Sequence, residues 1–110
     1  MSYQHKDLAS GRWRQLSFLE QMANIGSEVE RALNWQAKIN VAYSQKAFER
    51  AIELVDLTLD SVTSPTRFKE LARVREGLVD YFVGTNQFKS TPVSWKKYFL
   101  PFAYAVRLHY

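Results

Sequence analysis

Glu49, Glu53, Asp56 and Asp60 step by four, three and four residues, the spacing that lines side chains along one side of a helix. Carboxylates in such a row could bridge two metal ions inside a helical bundle. That chemistry wants inward carboxylates from several helices together with Glu-x-x-His motifs. The chain has two histidines, His5 and His109, near opposite ends, and no Glu-x-x-His. The acidic row also lies roughly opposite the apolar arc of its own helix. It reads as a solvated face, and no metal is expected. A Ser–His–Asp arrangement would have to recruit one of the same two histidines. There is no cysteine, which excludes disulfides, thiolate zinc sites and cysteine nucleophiles. The four glycines are scattered and build no phosphate loop. No catalytic residue and no cofactor is expected.

Arg75 is the charged residue that stands out. On a helical wheel it falls inside an apolar arc, between Leu71, Leu78 and Phe82. A buried guanidinium needs a partner, because an unpaired buried charge costs several kcal/mol. Glu28 and Asp56 sit at the margins of apolar arcs, and a structural buried pair of Arg75 with Glu28 is expected ahead of one with Asp56. A polar strip on the first helix, Ser17, Gln21, Asn24, Glu28 and Arg31, reads as interhelical hydrogen bonding or as a solvated face.

Several large apolar residues miss the core-facing arcs. Trp35 shares the polar side of its helix with Glu28 and Arg31. Leu57 lies with Lys46 and Arg50. Leu100 and Tyr104 face away from Trp95 and Phe102. Single exposed apolar residues are ordinary, but several large ones on different helices suggest a partner surface. These four are the expected oligomer interface. Basic residues gather in the second half of the chain: Arg67, Lys69, Arg73, Lys89, Lys96, Lys97 and Arg107. With Tyr81, Phe88 and Tyr98 interleaved, they are the expected contacts of a rival reading, nucleic-acid binding.

Four helices carry these residues. Phe18, Met22, Ile25, Val29 and Ala32 form a heptad seam, predicting a helix from about Arg14 to Ala37. Gly26 removes a side chain from that apolar face and would let a neighbouring helix approach closely. Asn40 can cap the next helix, over about Val41–Asp60, whose seam is Phe48, Ile52, Val55 and Leu59. Ser64 and Pro65 start a third helix, with Phe68, Leu71, Ala72, Val74, Leu78, Val79 and Phe82 inward. It ends near Val83, and Gly84 is placed for a left-handed C-terminal residue. Thr91 and Pro92 start the fourth, with Trp95, Phe99, Phe102 and Val106 on one face and Pro101 expected to kink it. Short links make neighbours antiparallel. The predicted fold is all-α, an antiparallel up-down-up-down four-helix bundle. Its core is predicted to bury Phe18, Met22, Val29, Phe48, Ile52, Leu71, Leu78, Phe99 and Phe102.

The chain has 110 residues, 46% apolar and 24% charged, which suits one domain, with residues 1–12 a loosely ordered lead-in. Net charge is +4, enough to permit nucleic-acid contact without demanding it. The start is polar and leads into no signal-type apolar core, and charges interrupt every apolar stretch. No membrane association and a cytoplasmic location are expected.

Gly11-Arg12-Trp13 is followed by Gln21-Met22-Ala23-Asn24-Ile25-Gly26-Ser27-Glu28-Val29. Then come Ala47-Phe48-Glu49-Arg50-Ala51, Asp56-Leu57-Thr58, Arg73-Val74-Arg75-Glu76, Asp80-Tyr81-Phe82, Trp95 and Tyr98-Phe99. Together these resemble bacterial cytosolic four-helix-bundle proteins of no assigned activity. That group looks like a relative of the proteins encoded in ribosomal RNA intervening sequences and of the accessory proteins of diversity-generating retroelements. The resemblance implies a bundle that assembles into a ring, typically a pentamer. In the retroelement relatives the ring is basic, binds nucleic acid and docks a reverse transcriptase. No catalytic residues come with it. The leading expectation is a non-enzymatic, ring-forming homo-oligomer that serves as a scaffold or adaptor for a protein partner. A nucleic-acid-binding ring is the rival, and an enzyme with a site at a subunit boundary is a distant third.

Overall fold

A computed structural model describes residues 11–109, and every regular element among them is helical. A 3-10 turn, Arg12–Gln15, precedes four helices: α1 (Phe18–Ala37), α2 (Val41–Ser61), α3 (Pro65–Phe82) and α4 (Pro92–His109). His5 and most of the lead-in expected over residues 1–12 lie outside the described residues. Gly11 and Arg12 belong to the 3-10 turn instead, with Gly11 at a positive φ of 119° that only glycine adopts readily.

The helix starts follow local chemistry. The Asn40 side chain accepts from Tyr43 N–H, Ser64 Oγ from Arg67 N–H, and Thr91 Oγ1 from Ser94 N–H. Each satisfies one of the orphan donors of a first turn. α1 begins later than the expected Arg14. Ser17 caps it in a reciprocal box, accepting from Glu20 N–H while the Glu20 carboxylate accepts from Ser17 N–H, both at 3.1 Å. Ser17 is thus a cap, not a member of a polar strip. Gly84 is not the left-handed residue after α3. Its hydrogen side faces the last turn, where an added Cβ would meet the Asp80 carbonyl oxygen at 3.0 Å. The left-handed positions are Asn86, Lys89 and, after α1, Ile39. There Asn40 N–H donates to Trp35 C=O and Ile39 N–H to Gln36 C=O, a closing motif that usually places glycine where Ile39 stands.

One core joins all four helices. Met22, Ile25 and Val29 of α1, Ala47, Phe48, Ala51 and Val55 of α2, Leu71 and Leu78 of α3, and Trp95 and Phe99 of α4 are buried. Phe18, Ile52 and Phe102, predicted inside, are half-buried at its edge. Gly26 does what its position suggested: a Cβ there would lie 2.8 Å from the Phe99 Cβ. α4 runs as helix through Pro101.

Trp13 is the core residue that periodicity did not reach. It is 2% exposed, and its Nε1–H donates to Thr58 Oγ1 at 2.8 Å. Thr58 in turn donates to the Leu54 carbonyl, and the Gln21 amide donates to the Trp13 carbonyl. The 3-10 turn therefore ties the beginning of the described chain to α1 and α2.

Candidate self-association surface

α4 carries two apolar faces. At 100° per residue, Trp95, Phe99, Phe102 and Val106 point one way, into the core. Val93, Leu100, Tyr104 and Leu108 fall within about 80° of one another on the opposite side. All four of those are exposed, Leu100 at 65% and Tyr104 at 60%. A helix apolar on two sides normally has neighbours on both. Lys96, Lys97 and Arg107 border or interrupt the outer stripe, and α4 contains no carboxylate at all. Along the α1 side of the stripe runs a groove of about 370 Å³, lined in part by Ala23, Gly26, Glu30, Phe99, Leu100 and Arg107.

The four interface residues expected from sequence do not form one patch. Leu100 and Tyr104 lie on the α4 stripe, which also contains Val93 and Leu108. Those two sit seven residues before and eight after Leu100, so extending the same wheel would have found them. Leu57 is half-buried on the core edge, and with Leu59 and Phe68 it borders a shallow concavity that includes Asp56 and Asp60. Phe68 was expected inside but is 49% exposed. Trp35 packs edge-on against Tyr43, with centroids 4.9 Å apart, and Lys38 Nζ lies 5.1 Å from its ring.

The expected buried pair of Arg75 and Glu28 does not occur. Arg75 Nε donates to Asp56 Oδ1 at 2.7 Å, with side chains 41% and 47% exposed. The Asp56 hydrogen bond holds the Arg75 pKa above its ordinary value. The wheel placed Arg75 on the correct arc, but its long side chain reaches out of the arc to water. Glu28 belongs to another set, accepting from Arg50 of α2 at 3.2 Å and from Arg31 at 3.3 Å. Arg75→Ala should therefore cost less than about 1 kcal/mol on chemical denaturation, the scale of an exposed ion pair. A loss of about 3 kcal/mol would show that the pair acts as a buried one.

The basic residues are spread over several surfaces. Lys69 and Arg73 share a groove with Thr66, Glu70 and Tyr98. Lys96 and Arg107 line the α1–α4 groove, Lys89 lies in the α3–α4 loop, and the Arg67 guanidinium covers the Phe18 ring at 4.6 Å. Tyr98 donates to Glu70 at 2.5 Å, and burial first, then that carboxylate, pushes its phenol well above the ordinary tyrosine range. Trp95 separates the two grooves, and its indole N–H is buried without an acceptor. Among the described residues no three carboxylate or imidazole groups converge as metal ligands do, and no helix is long and apolar enough to cross a membrane.

Comparison with protein-family models, with curated proteins and with solved structures finds no match to this chain.

Proposed function

We propose that this protein is a homo-oligomeric helical scaffold or adaptor of the cytoplasm, working through assembly and not through catalysis. The observation that carries this reading is the second apolar face of α4. Val93, Leu100, Tyr104 and Leu108 are held in a row by a helix whose other side is anchored in the core. Burying each would contribute on the order of 1.5–3 kcal/mol, so association has a ready driving force. The polypeptide path that supports it is up-down-up-down. Ser44 Oγ donates to the Ala32 carbonyl across α1 and α2, Arg75 meets Asp56 across α2 and α3, and Tyr98 meets Glu70 across α3 and α4. The first pairing, between the start of α2 and the end of α1, suits antiparallel neighbours. A ring follows where one surface of each subunit meets a different surface of the next and the rotation between them closes, and the family resemblance implies five subunits.

Light scattering at micromolar concentration tests this directly. The expected mass is a multiple of the 12.9 kDa chain. Leu100→Asp should reduce it to one chain while leaving the helical circular dichroism unchanged, because Leu100 has no part in the core. A native mass equal to one chain would refute the scaffold reading.

A further inference from the structure

We infer that the outer stripe of α4 docks against the α2–α3 surface around Leu57, Leu59 and Phe68 of a second copy, head to tail. This rests on the self-association reading and names the surface that accepts α4. The argument is charge. Lys96, Lys97 and Arg107 give the stripe three cations and no carboxylate. Two α4 stripes placed face to face would crowd the cations of both copies around one apolar seam, and like charges in an interface are strongly unfavourable. The accepting face must instead combine exposed apolar area with carboxylates.

The α2–α3 surface has both. Phe68 is half exposed, and Leu57 and Leu59 are partly buried beside it. Asp56 and Asp60 border the same concavity. They continue the row begun by Glu49 and Glu53, so α2 carries four carboxylates against two cations, Lys46 and Arg50. Asp56 and Asp60 each already meet one arginine, Arg75 and Arg14, at exposed positions. A carboxylate has about four acceptor sites, so each can take a further donor. A basic-edged apolar row thus meets an apolar concavity lined by Asp56 and Asp60 and, among the described residues, by no cation, and the two lie on different helices of one chain.

Mixing of half-disabled variants tests the pairing. Leu100→Asp disables the α4 stripe and Phe68→Asp the accepting surface. Each should be a single chain by light scattering, with native helical circular dichroism. Mixed one to one, they should form a complex of two chains and no larger, because only one intact pair of surfaces remains. Tyr104→Asp with Phe68→Lys is a second pair should either first variant fail to fold. The inference is overturned if Phe68→Asp keeps the native mass, or if both variants are single chains that do not combine. In either case an oligomeric native protein leaves the self-association reading standing. A single-chain native protein removes both.

Discussion

Trp13→Ala should destabilise the fold by roughly 3–5 kcal/mol, the range for deleting a buried aromatic side chain. The ring is nearly inaccessible, and its N–H is satisfied by a threonine that is itself fully buried. Two losses combine in this variant. The apolar area of the indole leaves a cavity between the 3-10 turn and α2, and the Thr58 hydroxyl loses its donor. They separate experimentally. Trp13→Phe keeps most of the ring and removes the hydrogen bond, so it should cost less than Trp13→Ala by the greater part of the cavity contribution. Thr58→Val removes the same bond from the acceptor side. It keeps the shape and leaves the Trp13 N–H buried without an acceptor, at about 1–3 kcal/mol. Urea unfolding at one fixed protein concentration measures all three, since an assembling protein's apparent stability depends on concentration. A loss below about 1 kcal/mol for Trp13→Ala would mean that the 3-10 turn is a detachable flap.

The place of Trp13 shows what the sequence could and could not disclose. Helix positions were legible because burial on a helix has a period. Met22, Ile25 and Val29 announce a seam, and Asn40, Ser64 and Thr91 announce starts through the hydrogen bonds that their side chains can make. Trp13 stands alone between two arginines, with no repeat around it. Its burial depends on Thr58, forty-five positions away, and on Gln21 holding its carbonyl. Periodicity also reports which way a residue points, not how far a neighbour covers it. Phe68 and Arg75 both lie on the inward arc of α3, yet one is half exposed and the other reaches water. The second apolar face of α4 was legible for the same reason in reverse. Leu100 and Tyr104 point away from every inward residue of α4, and among the described residues no helix lies over them. The proposed accepting face depends on how α2 and α3 sit together, and no single helix contains that.

Gly26→Leu should destabilise the protein by about 3 kcal/mol or more, at or above the upper end of overpacking costs. Even the first added carbon meets an obstacle. A Cβ on Gly26 would lie 2.8 Å from the Phe99 Cβ and 3.0 Å from its Cγ, against about 3.5–4.0 Å for carbon atoms at rest. The Phe99 Cβ is fixed to the backbone of α4, so no rotamer change can clear it. The whole helix has to move away. Gly26→Ala gives the smaller version of the same strain, offset by up to about 1 kcal/mol of gained helix propensity, and should fall between wild type and Gly26→Leu. The exposed neighbour supplies the control. Ser27→Leu places the same side chain outside the core and should change stability by no more than about 0.5 kcal/mol. The effect on assembly follows from the same displacement. Phe99 and Leu100 are adjacent, so pushing Phe99 outward tilts the stripe that includes Leu100 and Tyr104. Gly26→Leu should weaken self-association as well as folding, whereas Trp13→Ala acts far from α4 and should leave the association of its folded fraction intact. Denaturation and light scattering on the two variants distinguish these outcomes. Equal loss of assembly in both would show that the α4 stripe is not held in place by its contact with α1.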